Sequence, residues 1–203
     1  MPMSRLSYRC LLLAWVAATA GCGQRLPDWM VPPPVDPRAL TKAVMAQADA
    51  DKNGLLDAAE LATIPALRDV ASVLDTSGDQ QLSNDEISTW FERVKKEGVP
   101  HREAFLVIMD RGKPLANALV RIVPEACMGG TIEPAEGRTD NEGRTMLMIP
   151  TSRVQGVRSG LYRLEITGKR AKGKPIPPQY NTETTLGFSV SVLPWPRQEI
   201  NLE

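Results

Sequence analysis

Residues 49–60 carry the pattern that most constrains this chain: a twelve-residue segment with oxygen-bearing side chains at fixed positions. At positions 1, 3, 5, 9 and 12 these residues are Asp49, Asp51, Asn53, Asp57 and Glu60. Gly54 stands at position 6, where a sharp turn at positive φ costs glycine little. This concentration of oxygen donors suits a hard divalent cation such as Ca²⁺, which takes about six to eight oxygens. The alternative is a polar turn between two helices.

A second segment, residues 75–86, repeats the pattern. The oxygen-bearing residues at the same positions are Asp75, Ser77, Asp79, Ser83 and Glu86. Position 6 is Gln80 rather than glycine, and a left-handed conformation there costs a residue with a Cβ about 1–2 kcal/mol. Gly78 at position 4 offers a different way to relieve the turn. We therefore expect a second, weaker cation site.

Both segments resemble the calcium-binding loop of the EF-hand family, and the first matches it at every diagnostic position. The resemblance implies that position 7 supplies a backbone carbonyl, from Leu55 in the first loop and Gln81 in the second. It implies that position 12 closes each site through both carboxylate oxygens, which belong to Glu60 and Glu86. Position 9 acts directly or through water, and the implied cofactor is Ca²⁺.

Helices are predicted on both sides of the loops. Asp36 and Pro37 are typical of a helix start, so the first helix should run over residues 36–48. Further helices are predicted over residues 65–74 and, from a capping box, over residues 83–98. Only fourteen residues separate the loops, so the middle helices must be short. In the family such loops pair through short antiparallel strands, which would place Leu56 beside Leu82.

From about residue 103 the pattern changes to short β-rich runs separated by turns. The runs are residues 104–110, 118–124, 137–149, 159–166, 186–192 and 198–202. Six or seven strands at this spacing, with little helical periodicity, predict a β-sandwich.

Residues 112–203 also resemble the carboxypeptidase regulatory-like or transthyretin-like domain. The matching motifs are Gly112–Val120, Gly137–Gly143 and Gly160–Leu164, with a later run, Ile176–Asn181, similar to envelope lipoproteins of planctomycete-like bacteria. Domains of this family are usually non-catalytic. The expected fold class is therefore α+β in separate domains. An all-α EF-hand pair at residues 37–98 would precede an all-β transthyretin-like sandwich at residues 103–203.

Residues 1–21 are predicted to form a lipoprotein signal peptide. Two arginines precede an apolar run at residues 10–20, which is shorter than the roughly 20 residues needed to span a bilayer. The next residues resemble a bacterial lipobox, which implies that Cys22 is lipidated and becomes the mature N-terminus. The alternative is an ordinary secretory signal with a coincidental cysteine. The proline-rich residues 22–36 would then form a tether.

Charge and residue content exclude several function classes. The 24 Lys and Arg residues balance 24 Asp and Glu residues, so no basic nucleic-acid binder is expected. Cys127 would be the one unmodified thiol of the mature chain and has no base near it in sequence, so no enzyme is expected.

We expect a calcium-binding, non-catalytic lipoprotein of the cell envelope, anchored in the membrane by its N-terminal lipid and facing the periplasm or exterior. Its partners would be calcium ions, the membrane, and an envelope protein or polysaccharide, but no nucleic acid. The alternative is a dockerin-like module that recruits a protein in a calcium-dependent way. Dockerin loops typically end in Asp, whereas Glu60 and Glu86 end these two.

Overall fold

A computed structural model of the chain describes residues 30–32, 34–152, 154–170, 173–191 and 198–203. The predicted signal peptide, Cys22 and most of the expected tether lie outside these residues. In the part that is described, no helix combines the length and apolar character needed to cross a bilayer.

Five α-helices and ten β-strands occur in the described residues. The helices are α1 (Pro37–Ala48), α2 (Ala58–Leu61), α3 (Pro65–Arg68), α4 (Ala71–Leu74) and α5 (Asn84–Glu97). The first strands are β1 (Leu55–Leu56), β2 (Leu82–Ser83), β3 (Phe105–Asp110), β4 (Lys113–Pro114) and β5 (Leu119–Pro124). The remaining strands are β6 (Ala135–Arg138), β7 (Arg144–Met146), β8 (Gly160–Thr167), β9 (Gly187–Val190) and β10 (Gln198–Leu202).

The two long helices begin at the caps that the sequence predicts. Asp36 caps α1 by accepting hydrogen bonds from the backbone N–H groups of Arg38 and Ala39 at 3.1 and 3.2 Å. Ser83 and Glu86 form a capping box at the start of α5. A glycine in left-handed conformation ends α5 at residue 98. α1 and α5 pack together and frame the two loops.

The helix predicted over residues 65–74 is interrupted. It divides into α3 and α4, four residues each, because Val70 adopts φ −111° and ψ 0° between them. Leu67, Val70 and Leu74 are all buried on both sides of the interruption.

The strands form one small sheet and two larger ones. β1 and β2 pair antiparallel with Leu56 opposite Leu82, which is the predicted register. β3 pairs in parallel with β10 and antiparallel with β4 and β7. The third sheet has the order β6-β5-β8-β9, with antiparallel neighbours throughout.

The expected fold class, an all-α EF-hand pair followed by an all-β sandwich in separate domains, is wrong. Among the described residues, helix and strand occur in nearly equal amounts, 28% and 29%. The N-terminal half contains β1 and β2, and the C-terminal half contains 3₁₀ turns at Ala126–Met128 and Pro178–Tyr180. Buried residues of both halves join one hydrophobic cluster.

The shared core has a physical cause in the short middle helices. Four-residue helices bury too little apolar surface among themselves to be stable alone. α3 instead lies against β8 and β9, where Ile64, Ala66 and Leu67 are fully buried. Arg68 Nη2 also donates to the carbonyl oxygen of Thr185 at 3.1 Å. The loop region and the third sheet therefore form one packed body.

Candidate metal centre

The end of α1 fixes the first position of the first loop. Asp49 is the C-cap of α1, and its N–H donates to the carbonyl oxygen of Met45 at 2.9 Å. Its carboxylate accepts hydrogen bonds from the N–H groups of Asn53 and Gly54 at 3.2 and 3.1 Å. These bonds turn the loop around the Asp49 side chain.

Three carboxylates converge in this loop. Asp49, Asp51 and Glu60 each offer an oxygen, and these oxygens lie within 4.8 Å of one another. Opposite ligands around a Ca²⁺ ion are about 4.6–5.2 Å apart, so the three oxygens fit around one such ion. Among the ion pairs of the described residues, none involves these carboxylates. The cluster is negative and open to a cation.

Glu60 reaches the cluster from the exit helix. It belongs to the first turn of α2 and forms a capping box with Asp57. The sequence predicts this helix start, because Asp57 and Glu60 have the D-x-x-E spacing of a capping box. Its Oε1 accepts from the N–H of Ala50 at 2.8 Å, and its Oε2 accepts from the N–H of Asp57 at 3.1 Å. The side chain thus lies across the loop from the last position to the second.

The other predicted ligands of this loop are not in the carboxylate cluster. Asn53 Nδ2 donates to Asp51 Oδ2 at 2.9 Å, and Asn53 Oδ1 accepts from the N–H of Leu55 at 2.7 Å. Asp57 Oδ1 accepts from the N–H groups of Ala59 and Glu60 at the start of α2. Leu55, predicted to supply its carbonyl, lies in β1.

In the second loop, Glu86 reaches across the loop as Glu60 does in the first. Glu86 Oε1 accepts from the N–H groups of Thr76 and Ser77 at 2.8 and 3.0 Å, and Oε2 accepts from that of Ser83 at 2.9 Å. The hydrogen bond from the Ser83 N–H is the main cause that lowers the pKa of Glu86 to about 2. Asp75 accepts from the Gly78 N–H at 2.6 Å.

The remaining predicted ligands of the second loop are Ser77, Asp79, Gln81 and Ser83. Asp79 Oδ1 accepts from the N–H of Gln81 at 2.9 Å, while the Ser77 hydroxyl donates to Asp75. The described residues hold one group of three or more acidic, histidine or cysteine ligands within reach of a single ion, and it is the group in the first loop. The second loop is less acidic, because Ser77 and Ser83 stand where the first loop has Asp51 and Asp57.

Both loops share a backbone path with two left-handed positions. In the first loop these are Lys52 at φ 60° and Gly54 at φ 84°. In the second they are Gly78 at φ 78° and Gln80 at φ 65°. Each loop therefore places glycine at one of the two positions and a residue with a Cβ at the other. The left-handed Lys52 has no signal in the sequence pattern.

A cleft of about 120 Å³ lies beside the second loop, and the sequence did not indicate it. It is lined by Val73, Leu74, Thr76, Asp85, Glu86, Thr89, Trp90 and Arg93. Trp90 is 2% exposed, but its Nε1 has no hydrogen-bond partner in the described residues. A core tryptophan beside a cleft is not distinguishable from an ordinary core residue by periodicity.

Cys127 does not form a nucleophilic site. Burial, with a smaller contribution from the charge of Glu125, raises the pKa of its thiol to about 12. The thiol is protonated at neutral pH, whereas nucleophilic attack needs the thiolate.

The predicted lipidation site, Cys22, lies outside the described residues. Comparison with protein-family models, with curated proteins and with solved structures gave no match for this chain.

Proposed function

We propose that this protein binds Ca²⁺ at residues 49–60 and, more weakly, at residues 75–86. The observation that carries the proposal is the convergence of the Asp49, Asp51 and Glu60 carboxylates without an ion-pair partner in the described part of the chain. Carboxylates packed this closely repel one another, and a divalent cation removes the repulsion. The resemblance of both loops to EF-hand sequences supports Ca²⁺ as that cation.

Ligand charge explains why the second site is the weaker one. The first loop has four acidic ligand positions and the second has three. Calcium affinity rises with the number of charged ligands, so fewer carboxylates predict weaker binding. Backbone strain does not distinguish the sites, because each has one residue with a Cβ at positive φ.

The bound ion has a structural role in this proposal. It would join the end of α1 to the start of α2, since Asp49 caps one helix and Glu60 begins the other. A non-catalytic role agrees with the buried, protonated thiol of Cys127. A lipid anchor at Cys22 in the cell envelope is supported by the apolar run and small residues that precede this cysteine.

Isothermal titration of the whole chain with Ca²⁺ tests the proposal. We expect two binding events in the wild type, loss of the tighter one in Glu60→Gln and loss of the weaker one in Glu86→Gln. Glu92→Gln, which removes an exposed carboxylate of α5 outside both loops, is the matched control and should bind as the wild type does. Absence of heat in the wild type, or equal binding by Glu60→Gln, would refute the proposal. A parallel Mg²⁺ titration identifies which cation the loops prefer.

A further inference from the structure

Three of the five exposed large apolar side chains in the described residues belong to two chain segments that lie next to each other. They are Met30, Val31 and Val99, which are 42%, 45% and 36% exposed, and we call them the apolar end patch. Arg158 joins the two chain segments that carry them. Its Nη1 donates to the carbonyl oxygens of Val31 and Pro100, at 2.9 Å each.

Lys95 borders the apolar end patch, and Lys96 follows it in the chain. Lys95 and Lys96 are exposed in the last turn of α5, and Lys95 lines a small depression together with Pro32 and Val99. The adjacent carboxylate of Glu97 is neutralised by an ion pair with Arg102. Arg158 lies 3.7 Å from the carboxylate of Glu133, so the positive charge beside the patch comes from the two lysines.

The chain enters the described structure at this patch. Cys22 precedes Met30 by eight residues, which reach at most about 29 Å when fully extended. The apolar run at residues 10–20 comes just before that. A bilayer that holds the lipid on Cys22 would therefore lie within reach of the patch.

The two long helices separate the loops from the patch by about 20 Å. α1 begins close to the patch, since Val35 and Val94 line the same depression, and it ends at Asp49 about 18 Å away. α5 begins at the second loop and ends beside the patch, about 21 Å further on.

We propose that the apolar end patch, with Lys95 and Lys96, docks on the surface of an anionic phospholipid bilayer. The inference rests on the proposed lipid anchor at Cys22 and specifies which face meets the membrane. Apolar side chains at the headgroup boundary and lysines near anionic lipid are the two contributions that hold peripheral proteins on membranes. Each lysine near the surface strengthens such docking roughly fivefold. Docking in this orientation leaves both loops directed away from the bilayer.

The test places a reporter on the patch of the lipidated full chain. After processing, Cys22 is blocked by lipid and Cys127 is buried, so Val99→Cys provides the accessible thiol. The variant carries an environment-sensitive fluorophore and is reconstituted in phosphatidylcholine vesicles with or without phosphatidylglycerol. The matched control is Val73→Cys, which is 55% exposed in α4. We expect the Val99 label to become shielded in anionic vesicles at low salt, while the Val73 label stays in water.

Adding Lys95→Glu and Lys96→Glu to the labelled chain should lower the equilibrium constant for docking by roughly thirtyfold or more. Equal exposure of the Val99 and Val73 labels in every vesicle would overturn the docking inference. Equal shielding of Val99 in neutral and anionic vesicles, unchanged by salt, would also overturn it, because another part of the chain or a second copy would then cover the patch. An intact mass without lipid, with Cys22 open to labelling, would instead refute the anchor on which the inference rests.

Discussion

At positions 4 and 6 of each loop the backbone is left-handed, yet each loop has glycine at only one of these positions. Lys52 and Gln80 therefore carry a Cβ at φ 60° and φ 65°. The left-handed conformation costs such residues about 1–2 kcal/mol, whereas glycine accepts it readily.

Lys52→Gly and Gln80→Gly should each stabilise the calcium-free chain by about 0.5–1 kcal/mol, because relief of strain exceeds the added entropy of glycine in the unfolded state. Urea unfolding at equilibrium measures the change. Gly78→Ala is the control, since its Cβ would meet no atom within 4 Å and only the φ of 78° is unfavourable. It should destabilise the chain, and unchanged stability in all three variants would contradict the backbone argument.

Glu125 is a buried carboxylate outside the loops. Its side chain is 3% exposed, and Oε1 has no hydrogen-bond partner among the described residues. Burial raises the pKa of Glu125 to about 7, although the charge of Arg163, whose Nε lies 3.7 Å from Oε2, opposes the rise. The folded chain therefore binds this proton more tightly than the unfolded chain does.

The free energy of unfolding should fall as the pH rises from about 4.5 to about 7, by up to about 3 kcal/mol from this group. This contribution is fully present below the unfolded-state pKa and is lost as pH passes the folded-state value. Glu125→Gln stays uncharged and should lack this decline. Urea unfolding between about pH 5 and about pH 8 compares the two chains. If the wild type and Glu125→Gln showed the same pH dependence, ionisation of Glu125 would not destabilise the fold.

At the scale of elements, the contact between α3 and β9 joins the loop region to the third sheet. A Cβ on Gly187 would lie 2.3 Å from the backbone of Pro65 and Ala66, so only glycine allows this approach. The contact is made by backbone atoms, which cannot move aside as a flexible side chain can.

Gly187→Ala should destabilise the whole chain by about 3 kcal/mol, because α3 must move away from β9. Ser189→Ala on the same strand is the matched control. It removes a buried hydroxyl with no hydrogen-bond partner in the described residues, so it should be neutral or slightly stabilising. Denaturant unfolding measures the free energy of unfolding of both variants. Equal changes would show that the close approach of α3 to β9 does not require glycine.

The sequence predicted the starts of the two long helices, because helix caps depend on residues that are close in sequence. Asp36 and Pro37 located α1, and the Ser83 capping box located α5. The resemblance of both loops to EF-hands implied the pairing of Leu56 with Leu82. The contact between α3 and Gly187 joins residues more than a hundred positions apart, and no local pattern encodes it.

The ligands of the candidate site were predicted from the sequence, but not every hydrogen bond among them. The loop spacing identified the three clustered carboxylates of the first loop. The D-x-x-E spacing also indicated that Asp57 would cap the start of α2. The spacing did not indicate that Asn53 would donate to Asp51, because short polar side chains also bond to neighbouring groups within the loop.

At the scale of the molecule, buried residues from α1 through β10 belong to one hydrophobic cluster. The residues 37–98 therefore depend on the sheets for part of their core. As an isolated fragment they should show less helix by circular dichroism and no cooperative unfolding, because Ile64, Ala66 and Leu67 would be exposed. A fragment that unfolds cooperatively and keeps the calcium affinity of the whole chain would contradict the shared core.

Calcium in the loops should stabilise a packed body that includes both large sheets. Thermal unfolding of the whole chain with and without Ca²⁺ tests it most directly. With calcium at about a hundred times its dissociation constant, binding adds about 2.7 kcal/mol. We expect one unfolding transition, whose midpoint temperature rises by about 5–10 °C in both the helix and the sheet signals. In Glu60→Gln the part of this rise that comes from the first site should be absent. A single transition at the same temperature with and without calcium would show that the loops do not stabilise the fold through calcium. Separate transitions, of which only the helical one moves, would show that the loops and the sheets unfold independently.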